Sequence, residues 1–221
     1  EVALSKDGEE FLLALGFGSN ASEAARSAAA SLKDGFAAAQ TLYTKEWQSW
    51  QNSLKAIPRR DAKSRNLDLV SVAVIRTCES KQHPGGIVAS LSLPWGFNKG
   101  DGDLGGYHLV WARDLVETAG ALVAVGAAGD ARRVLDYLQS TQHADGHWSQ
   151  NMWINGSPYW DGVQLDETAF PLLLANLMRR EKLLRPDELK PLWPMLRKAA
   201  AFVVKNGPVT RQDRWEEDPG Y

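Results

Sequence analysis

Helical sequence patterns alternate with long loops rich in glycine and tryptophan, and this alternation limits the fold more than any other feature of the chain. The helical patterns repeat apolar residues at helical spacing, whereas glycine, proline and aspartate recur in the loops too often for a helix to continue. Long loops in compact domains usually carry function. The order is helix, loop, helix pair, loop, helix pair, loop, and the three loops are residues 83–111, 143–162 and 213–221.

This order predicts a mainly helical fold in which helical hairpins form a toroid and their loops meet on one face. The sequence has no strong repeat at a fixed period, so the prediction rests on the placement of the loops. A plain helical bundle is the alternative, but a bundle does not need three long loops of polar and aromatic residues.

The N-terminal part has a different character. Residues 1–18 contain a short apolar run followed by glycines and are predicted to be extended. From Ser19 the chain is rich in alanine, with a serine or asparagine available as N-cap and a glutamate shortly after, which is typical of a helix start. We expect one long helix or two, interrupted near Gly35. A further helix is predicted within SRNLDLVSVAVIRTCESKQ and a short strand at IVASLS.

The composition excludes several classes of protein. With 44% hydrophobic residues and a net charge of −2, the chain is an ordinary globular protein without the basic excess that attracts nucleic acid or a membrane surface. No apolar run approaches the ~20 residues of a membrane helix. The N-terminus lacks a signal-peptide pattern, but a removed signal leaves secretion open. Cys78, the single cysteine, excludes an internal disulfide and is expected to be a buried small hydrophobe.

Tryptophan is unusually frequent, with nine residues in 221, and several lie beside glycine, aspartate or asparagine in the loops. Indole rings stack on the C–H faces of sugars, while nearby Asp, Arg and Asn side chains bind the hydroxyls. Tryptophan in polar loops therefore favours a flat ligand or a sugar.

The segment WARD contains Arg113 and Asp114 at a predicted helix start. In one interpretation Asp114 caps the helix, where a negative charge is favourable, beside a surface arginine. In the other, the arginine donates to sugar hydroxyls through its fixed fork and the aspartate accepts from them. The segment alone does not decide between the two.

The segment YWDGVQLDETAF places Trp160 and Asp161 just before a predicted helix that contains Asp166 and Glu167. Trp160 is the better functional candidate, as a stacking platform. The two acids are first-turn residues that complement the helix dipole, and for Glu167 this interpretation is at least as good as a functional one.

No metal or cofactor is expected. His143 and His147 are four residues apart, but the Asp-Gly between them breaks a helix and no third ligand is evident, so a structural role is favoured. Asp101 and Asp103 resemble a fragment of a calcium loop without the full spacing, and a structural calcium ion lacks a clear motif.

Glu216 and Glu217 follow a tryptophan in RWEEDPGY. Glycoside hydrolysis needs one protonated carboxylic acid and a second carboxylate, and a glutamate packed against tryptophan beside another acid would have a raised pKa. Adjacent residues point in different directions, so one of the two would be the acid while its neighbour holds substrate. From charge and spacing alone, a solvated acidic loop is the favoured interpretation.

Three motifs in order, PWGFNKGDGDLGGYHLVWARD, YWDGVQLDETAF and RWEED, closely resemble the bacterial branch of glycoside hydrolase family 15, which contains glucoamylases, glucodextranases and some trehalases. The similarity runs from about Leu12 to the last residue. It implies an (α/α)6 barrel and inverting hydrolysis at non-reducing glucose ends. It also implies site roles: Glu216 is the general acid, and the substrate-binding residues are Trp111, Arg113, Asp114, Trp160 and Glu217.

The resemblance also implies what the chain lacks. The family's general base is a glutamate far downstream, beyond residue 221, so we expect a central piece that is inactive alone and continues in the same polypeptide. Its expected domains are the end of an N-terminal β-sandwich with its last strand at 1–18, a helical linker at 19–60 and the first half of the barrel at 61–221.

The expected partner is an α-glucan or α-gluco-oligosaccharide, with no nucleic acid and no membrane. A secreted or periplasmic location is favoured, with the cytoplasm as the alternative. A carbohydrate-binding helical module without catalysis, a trehalase-type hydrolase and a helical scaffold without ligand stay open as alternatives.

Overall fold

A computed structural model describes residues 12–55, 67–91 and 107–209 of the chain, and these residues are mainly helical. The predicted helical fold class is thus confirmed. The chain divides into two compact units, Glu1–Ser53 and Leu54–Tyr221. In chain order the elements are α1 (Ala21–Asp34), α2 (Phe36–Ser53), α3 (Leu67–Thr77), α4 (Ala112–Ala124), α5 (Ala128–Thr141), β1 (Asn151–Met152), β2 (Pro158–Trp160), α6 (Leu165–Arg180) and α7 (Pro186–Asn206).

The first unit contains two helices that break where the sequence predicted. Asn20 is the N-cap of α1, and its side chain accepts a hydrogen bond of 3.0 Å from the backbone N–H of Glu23. Gly35 separates α1 from α2 with a φ of 82°, a left-handed conformation that glycine adopts without steric cost. The predicted extended segment is described only from residue 12, and residues 12–18 belong neither to a helix nor to a described strand.

The second unit is built from α3 to α7 and holds the hydrophobic core. Helix α4 packs against α5 and α6, and α6 packs against α7. Each of these four helices buries one apolar face, as the helical spacing of the sequence requires. The buried side chains include Leu115 and Leu122 of α4, Val134 and Leu138 of α5, Leu174 and Met178 of α6, and Leu192 and Ala199 of α7.

A short antiparallel hairpin, β1 with β2, lies between α5 and α6. Met152 of β1 also pairs with Val110, which precedes α4, through two backbone hydrogen bonds of 2.9 Å. The loops before α4 and before α6 are therefore joined, as the predicted convergence requires for these two. The third loop, 213–221, lies outside the described residues.

Two local expectations need correction. The described part of IVASLS, residues 87–91, forms backbone hydrogen bonds with residues 107–109 and an isolated bridge from Ile87 to Glu79, but no regular strand. Cys78 is half-buried because it lies just after the last turn of α3, where the chain leaves the helix.

Candidate functional site

The WARD segment forms the N-terminus of α4, as predicted. Trp111 is the N-cap residue, but its side chain makes no capping hydrogen bond, and Arg113 and Asp114 lie in the first turn. The first N–H groups of an α-helix have no partner within the helix. The start of α4 therefore needs a hydrogen-bond acceptor from elsewhere in the fold.

Glu167 of α6 supplies that acceptor. Its Oε2 accepts a hydrogen bond of 2.7 Å from the backbone N–H of Arg113, and its Oε1 lies 2.9 Å from Nη1 of the same residue. The Oε1 contact is an ion pair at short range without hydrogen-bond alignment. One carboxylate thus binds both the backbone and the side chain of Arg113.

Two further carboxylates surround the guanidinium of Arg113. Asp166 Oδ2 accepts a hydrogen bond of 2.9 Å from Nη1, and Asp114 Oδ2 lies 3.6 Å from Nε. Burial increases from Asp114 to Asp166 to Glu167, whose side chains are 46%, 26% and 0% exposed. The four side chains form a cluster, here called the Arg113 cluster, that joins the first turns of α4 and α6.

Burial raises the pKa of Glu167 to about 8, and the nearby carboxylates of Asp166 and Asp114 add to the rise. The charge and the backbone N–H of Arg113 oppose it. Burial by itself would lower the pKa of Arg113, but the charges of Glu167, Asp166 and Asp114 and the hydrogen bond to Asp166 outweigh it, so that pKa is raised. The raised pKa of Glu167 favours its neutral form, whereas the raised pKa of Arg113 depends on an ionised Glu167. We favour the raised pKa of Glu167 because its carboxyl has no contact with solvent.

The sequence interpretation of Glu167 is therefore incomplete. Asp166 and Glu167 do lie in the first turn of α6, as predicted. The contact from Glu167 to Arg113 crosses 54 positions of the chain, and no local pattern reports it. The only local hint is that Trp111 cannot cap α4 through a hydrogen-bond acceptor of its own side chain.

The aromatic candidates lie on the two joined loops. The ring of Trp111 is tilted against that of Tyr107, with centroids 6.1 Å apart. Trp160 ends β2, where its backbone N–H donates a 3.1 Å hydrogen bond to Asn151 Oδ1, and its side chain is 49% exposed. Trp148 is instead fully buried, and its Nε1 donates to the carbonyl of Leu138 at 3.1 Å. Loop position therefore does not by itself mark a tryptophan as a ligand contact.

The remaining candidate site residues either make contacts within the fold or lie outside the described part of the chain. The rings of His143 and His147 stack with centroids 4.3 Å apart, and their nitrogens contact Ser149 and Asp145. Glu216, Glu217, Asp101 and Asp103 lie outside the described residues.

Within 12–55, 67–91 and 107–209, no group of three or more His, Cys, Asp or Glu side chains is arranged to hold a metal ion. None of the described helices has the length and hydropathy to cross a membrane.

Two buried polar side chains of the second unit escaped the sequence interpretation. Thr168, next to Glu167, and Gln150, next to β1, are almost fully buried. Their Oγ1 and Nε2 atoms have no hydrogen-bond partner among the described residues. Thr168 belongs to the segment YWDGVQLDETAF and Gln150 to the loop 143–162, but neither residue type indicated by itself that its side chain would be buried.

Two family models match the chain. Residues 1–52 match the model described as glucodextranase, domain N, and residues 63–146 and 135–221 match the model described as glycosyl hydrolases family 15. The first match extends to residue 52, whereas the sequence predicted boundaries near residues 18 and 60. Those boundaries stay predictions.

Among curated proteins, a glucoamylase of Clostridium sp. (strain G0005) is 40% identical over 222 residues, which are 100% of this chain and 30% of that protein. An uncharacterized glycosyl hydrolase of Methanocaldococcus jannaschii is 29% identical over 137 residues, 60% of this chain and 20% of that protein. The chain thus spans less than a third of the length of each.

A solved structure extends the similarity to the fold. The crystal structure of a bacterial glucoamylase complexed with acarbose matches with a TM-score of 0.77 and 39% identity, over 93% of this chain and 29% of that one. That glucoamylase has an (α/α)6 barrel, and this chain covers a part of it. The predicted architecture, part of an (α/α)6 barrel, is thus confirmed. Because the family model matches most of the length of this chain, the chain belongs to glycosyl hydrolases family 15.

Proposed function

We propose that the chain is part of an exo-acting, inverting α-glucoside hydrolase of the glucoamylase type. It releases β-D-glucose from the non-reducing ends of α-glucans, with α-1,4 linkages favoured and α-1,6 linkages as the alternative. The observation that carries the proposal is the Arg113 cluster at the start of α4. The named relatives support it, because one is a glucoamylase and the solved bacterial glucoamylase holds acarbose.

The cluster has the chemistry that sugar recognition needs. A guanidinium donates through a planar fork and cannot accept, whereas a carboxylate only accepts, so Arg113 and Asp114 together can bind hydroxyl groups in both roles. The side chain of Asp114 is about half exposed, and that of Arg113 is 13% exposed. The proposal assigns these two residues to the terminal glucose of the substrate.

The aromatic and acidic residues complete the proposed site. Trp111 and Trp160 provide indole faces for stacking on sugar rings. Glu216 is the general acid that donates a proton to the leaving glycosidic oxygen, and Glu217 binds a substrate hydroxyl. An inverting hydrolase also needs a second carboxylate, which activates the water that attacks from the opposite face of the sugar. A secreted or periplasmic location fits a polymeric substrate.

The proposal is tested with the full-length polypeptide, meaning this chain with any further sequence that its gene encodes. Maltose, isomaltose and trehalose are offered separately, and proton NMR follows which anomer of glucose appears first. We expect hydrolysis of maltose with β-glucose as the first product. Binding without hydrolysis would favour a carbohydrate-binding module, and α-glucose as first product would contradict inversion.

The two adjacent glutamates provide a second test. Glu216→Gln keeps the shape of the side chain but cannot donate a proton, so kcat on maltose should fall by roughly a hundred- to ten-thousand-fold. The loss should be smaller on α-glucosyl fluoride, whose leaving group departs without protonation. Glu217→Gln, the matched control, should lower kcat/KM on both substrates alike. Leaving-group dependence in Glu217→Gln instead would reverse the two assignments.

A further inference from the structure

The contact between Glu167 and Arg113 has an unusual form. Most arginine–carboxylate pairs join two side chains, but Glu167 also accepts the backbone N–H of Arg113, at 2.7 Å. The residue is therefore held at both ends, at its main chain and at Nη1 of its guanidinium. An arginine whose backbone and guanidinium are both held loses much of the freedom that its long side chain otherwise has.

Asp166, in the same turn of α6, adds a second contact at Nη1. Its Oδ2 receives a hydrogen bond from Nη1 of Arg113, the nitrogen that also faces Glu167, and both contacts are 2.9 Å long. The other carboxylate oxygen of Asp166 accepts the backbone N–H of Glu167 at 3.0 Å, which fixes Asp166 beside its neighbour. Nη1 thus donates a hydrogen bond to Asp166, while Oε1 of Glu167 lies at ion-pair distance from the same nitrogen without hydrogen-bond alignment.

We propose that Glu167, assisted by Asp166, is a positioning residue for substrate recognition. It binds Arg113 through its backbone N–H and Nη1, so that the Nη2 and Nε hydrogens of the guanidinium are presented to the sugar. The inference rests on the proposed function, because it assigns a task to Arg113 in that site. It goes beyond it by naming a residue that acts on the substrate only through another residue.

Burial makes Glu167 suited to this task. A carboxylate in contact with solvent would exchange Arg113 for water, whereas Glu167 is 0% exposed. Its position in the first turn of α6, beside the first turn of α4, also lets it transmit the relative placement of the two helices to the guanidinium. Misplacement of a binding group by about 1 Å can reduce a rate about a hundredfold.

The competing explanation is that Glu167 only stabilises the fold. The chain offers a matched control for this explanation, because Glu79 binds Arg133 in a similar way and also accepts a backbone N–H, that of Gly85 at 2.9 Å. That pair joins α5 to the segment after α3 and does not join α4 to α6. A purely structural role predicts that Glu167→Gln and Glu79→Gln behave alike.

The test measures kcat and KM on maltose and on α-glucosyl fluoride for the full-length wild type, Glu167→Gln and Glu79→Gln. We expect Glu167→Gln to lower kcat/KM by about a hundredfold, mainly through a higher KM and equally on both substrates, because positioning does not depend on the leaving group. Glu79→Gln should keep the wild-type KM. An unchanged KM in Glu167→Gln, or the same kinetic loss in both variants, would overturn the proposal.

A double-mutant cycle with Arg113→Met tests whether Glu167 acts through Arg113. If it does, Glu167→Gln should change kcat/KM little once Arg113 is replaced. Independent, additive losses would overturn the proposal. If Glu167→Gln does not fold, Asp166→Asn takes its place in the cycle, with the same expected rise in KM. A wild type that hydrolyses no α-glucoside would instead refute the proposed function, which separates the two failures.

Discussion

Arg113 and Arg133, both in the second unit, each contact more than one carboxylate, and the geometry of the two clusters differs in a way that bears on the proposed role of Arg113 in substrate binding. Arg113 contacts Asp114, Asp166 and Glu167, whereas Arg133 contacts Glu79 and Asp130. In both clusters a glutamate also accepts a backbone N–H. Composition and distance alone therefore do not distinguish them.

The geometry of the contacts distinguishes the two clusters. Arg133 binds Glu79 in a two-pronged arrangement, with Nε at 2.7 Å from one oxygen and Nη2 at 2.8 Å from the other. Such a pair uses one full edge of the guanidinium. In the Arg113 cluster, both α6 carboxylates face the single nitrogen Nη1, and Nε is 3.6 Å from Asp114. Arg113 is thus fixed without having its Nε–Nη2 edge bound by the α6 carboxylates.

The largest expected difference is in activity. Arg113→Ala removes the proposed charged hydrogen bonds to the substrate, so transition-state stabilisation should fall by about 4 kcal/mol, roughly a thousandfold in kcat/KM. Asp114→Ala should lower kcat/KM in the same direction. Steady-state kinetics on maltose measures both. Arg133→Ala is the control, and an equal loss there would mean that the two clusters do not differ in function.

A smaller difference is expected in stability. Glu167→Ala leaves the start of α4 without its acceptor in a site closed to water, and should lower the free energy of unfolding by about 3 kcal/mol. Glu79→Ala should cost about 1 kcal/mol, because Arg133 is 37% exposed and can turn to solvent. Urea unfolding of both variants checks the order. A larger loss in Glu79→Ala would contradict the role given to burial.

Taken per pH unit, the smallest expected effect is a pH dependence of stability. Burial raises the pKa of Glu167 to about 8 from an ordinary value of 4.5. Between these two pH values the Glu167 carboxyl keeps its proton in the folded chain, whereas the unfolded chain has lost it. The resulting stabilisation is complete below about pH 4.5 and is lost as the pH rises towards 8, at up to about 1.4 kcal/mol per pH unit.

Urea unfolding at pH 5 and pH 8 measures this decline. Glu167→Gln, which carries no titratable group at this position, should lack the contribution, whereas Glu79→Gln retains Glu167 and should retain it. The same pH dependence in wild type and Glu167→Gln would show that the buried carboxyl is not its source.

The sequence predicted features that depend on neighbours along the chain and missed those that depend on distant ones. The break at Gly35, the N-cap at Asn20 and the helix start at Arg113 follow from local backbone chemistry, and the structure has all three. The Glu167–Arg113 contact depends on how α4 packs against α6, which no local pattern encodes. Trp148 illustrates the same limit, because its loop resembles a binding loop while its ring fills the core.

The resemblance to a family extended the prediction further than the residues alone. Charge and spacing favoured a solvated acidic loop at Glu216 and Glu217, and only the similarity of three motifs suggested catalytic roles. The family is confirmed by the matches of the chain. The roles of individual residues stay predictions, because they depend on where a substrate lies against the site.

The most direct test of the central claim is a crystal structure of the full-length polypeptide with acarbose bound, and the quantity to read is the position of the Arg113 guanidinium. We predict Nη2 or Nε within about 3.2 Å of a sugar oxygen, with Nη1 still in contact with Asp166 and Glu167. A sugar bound without contact to Arg113, or an Arg113 that leaves Glu167 to reach the ligand, would contradict the account.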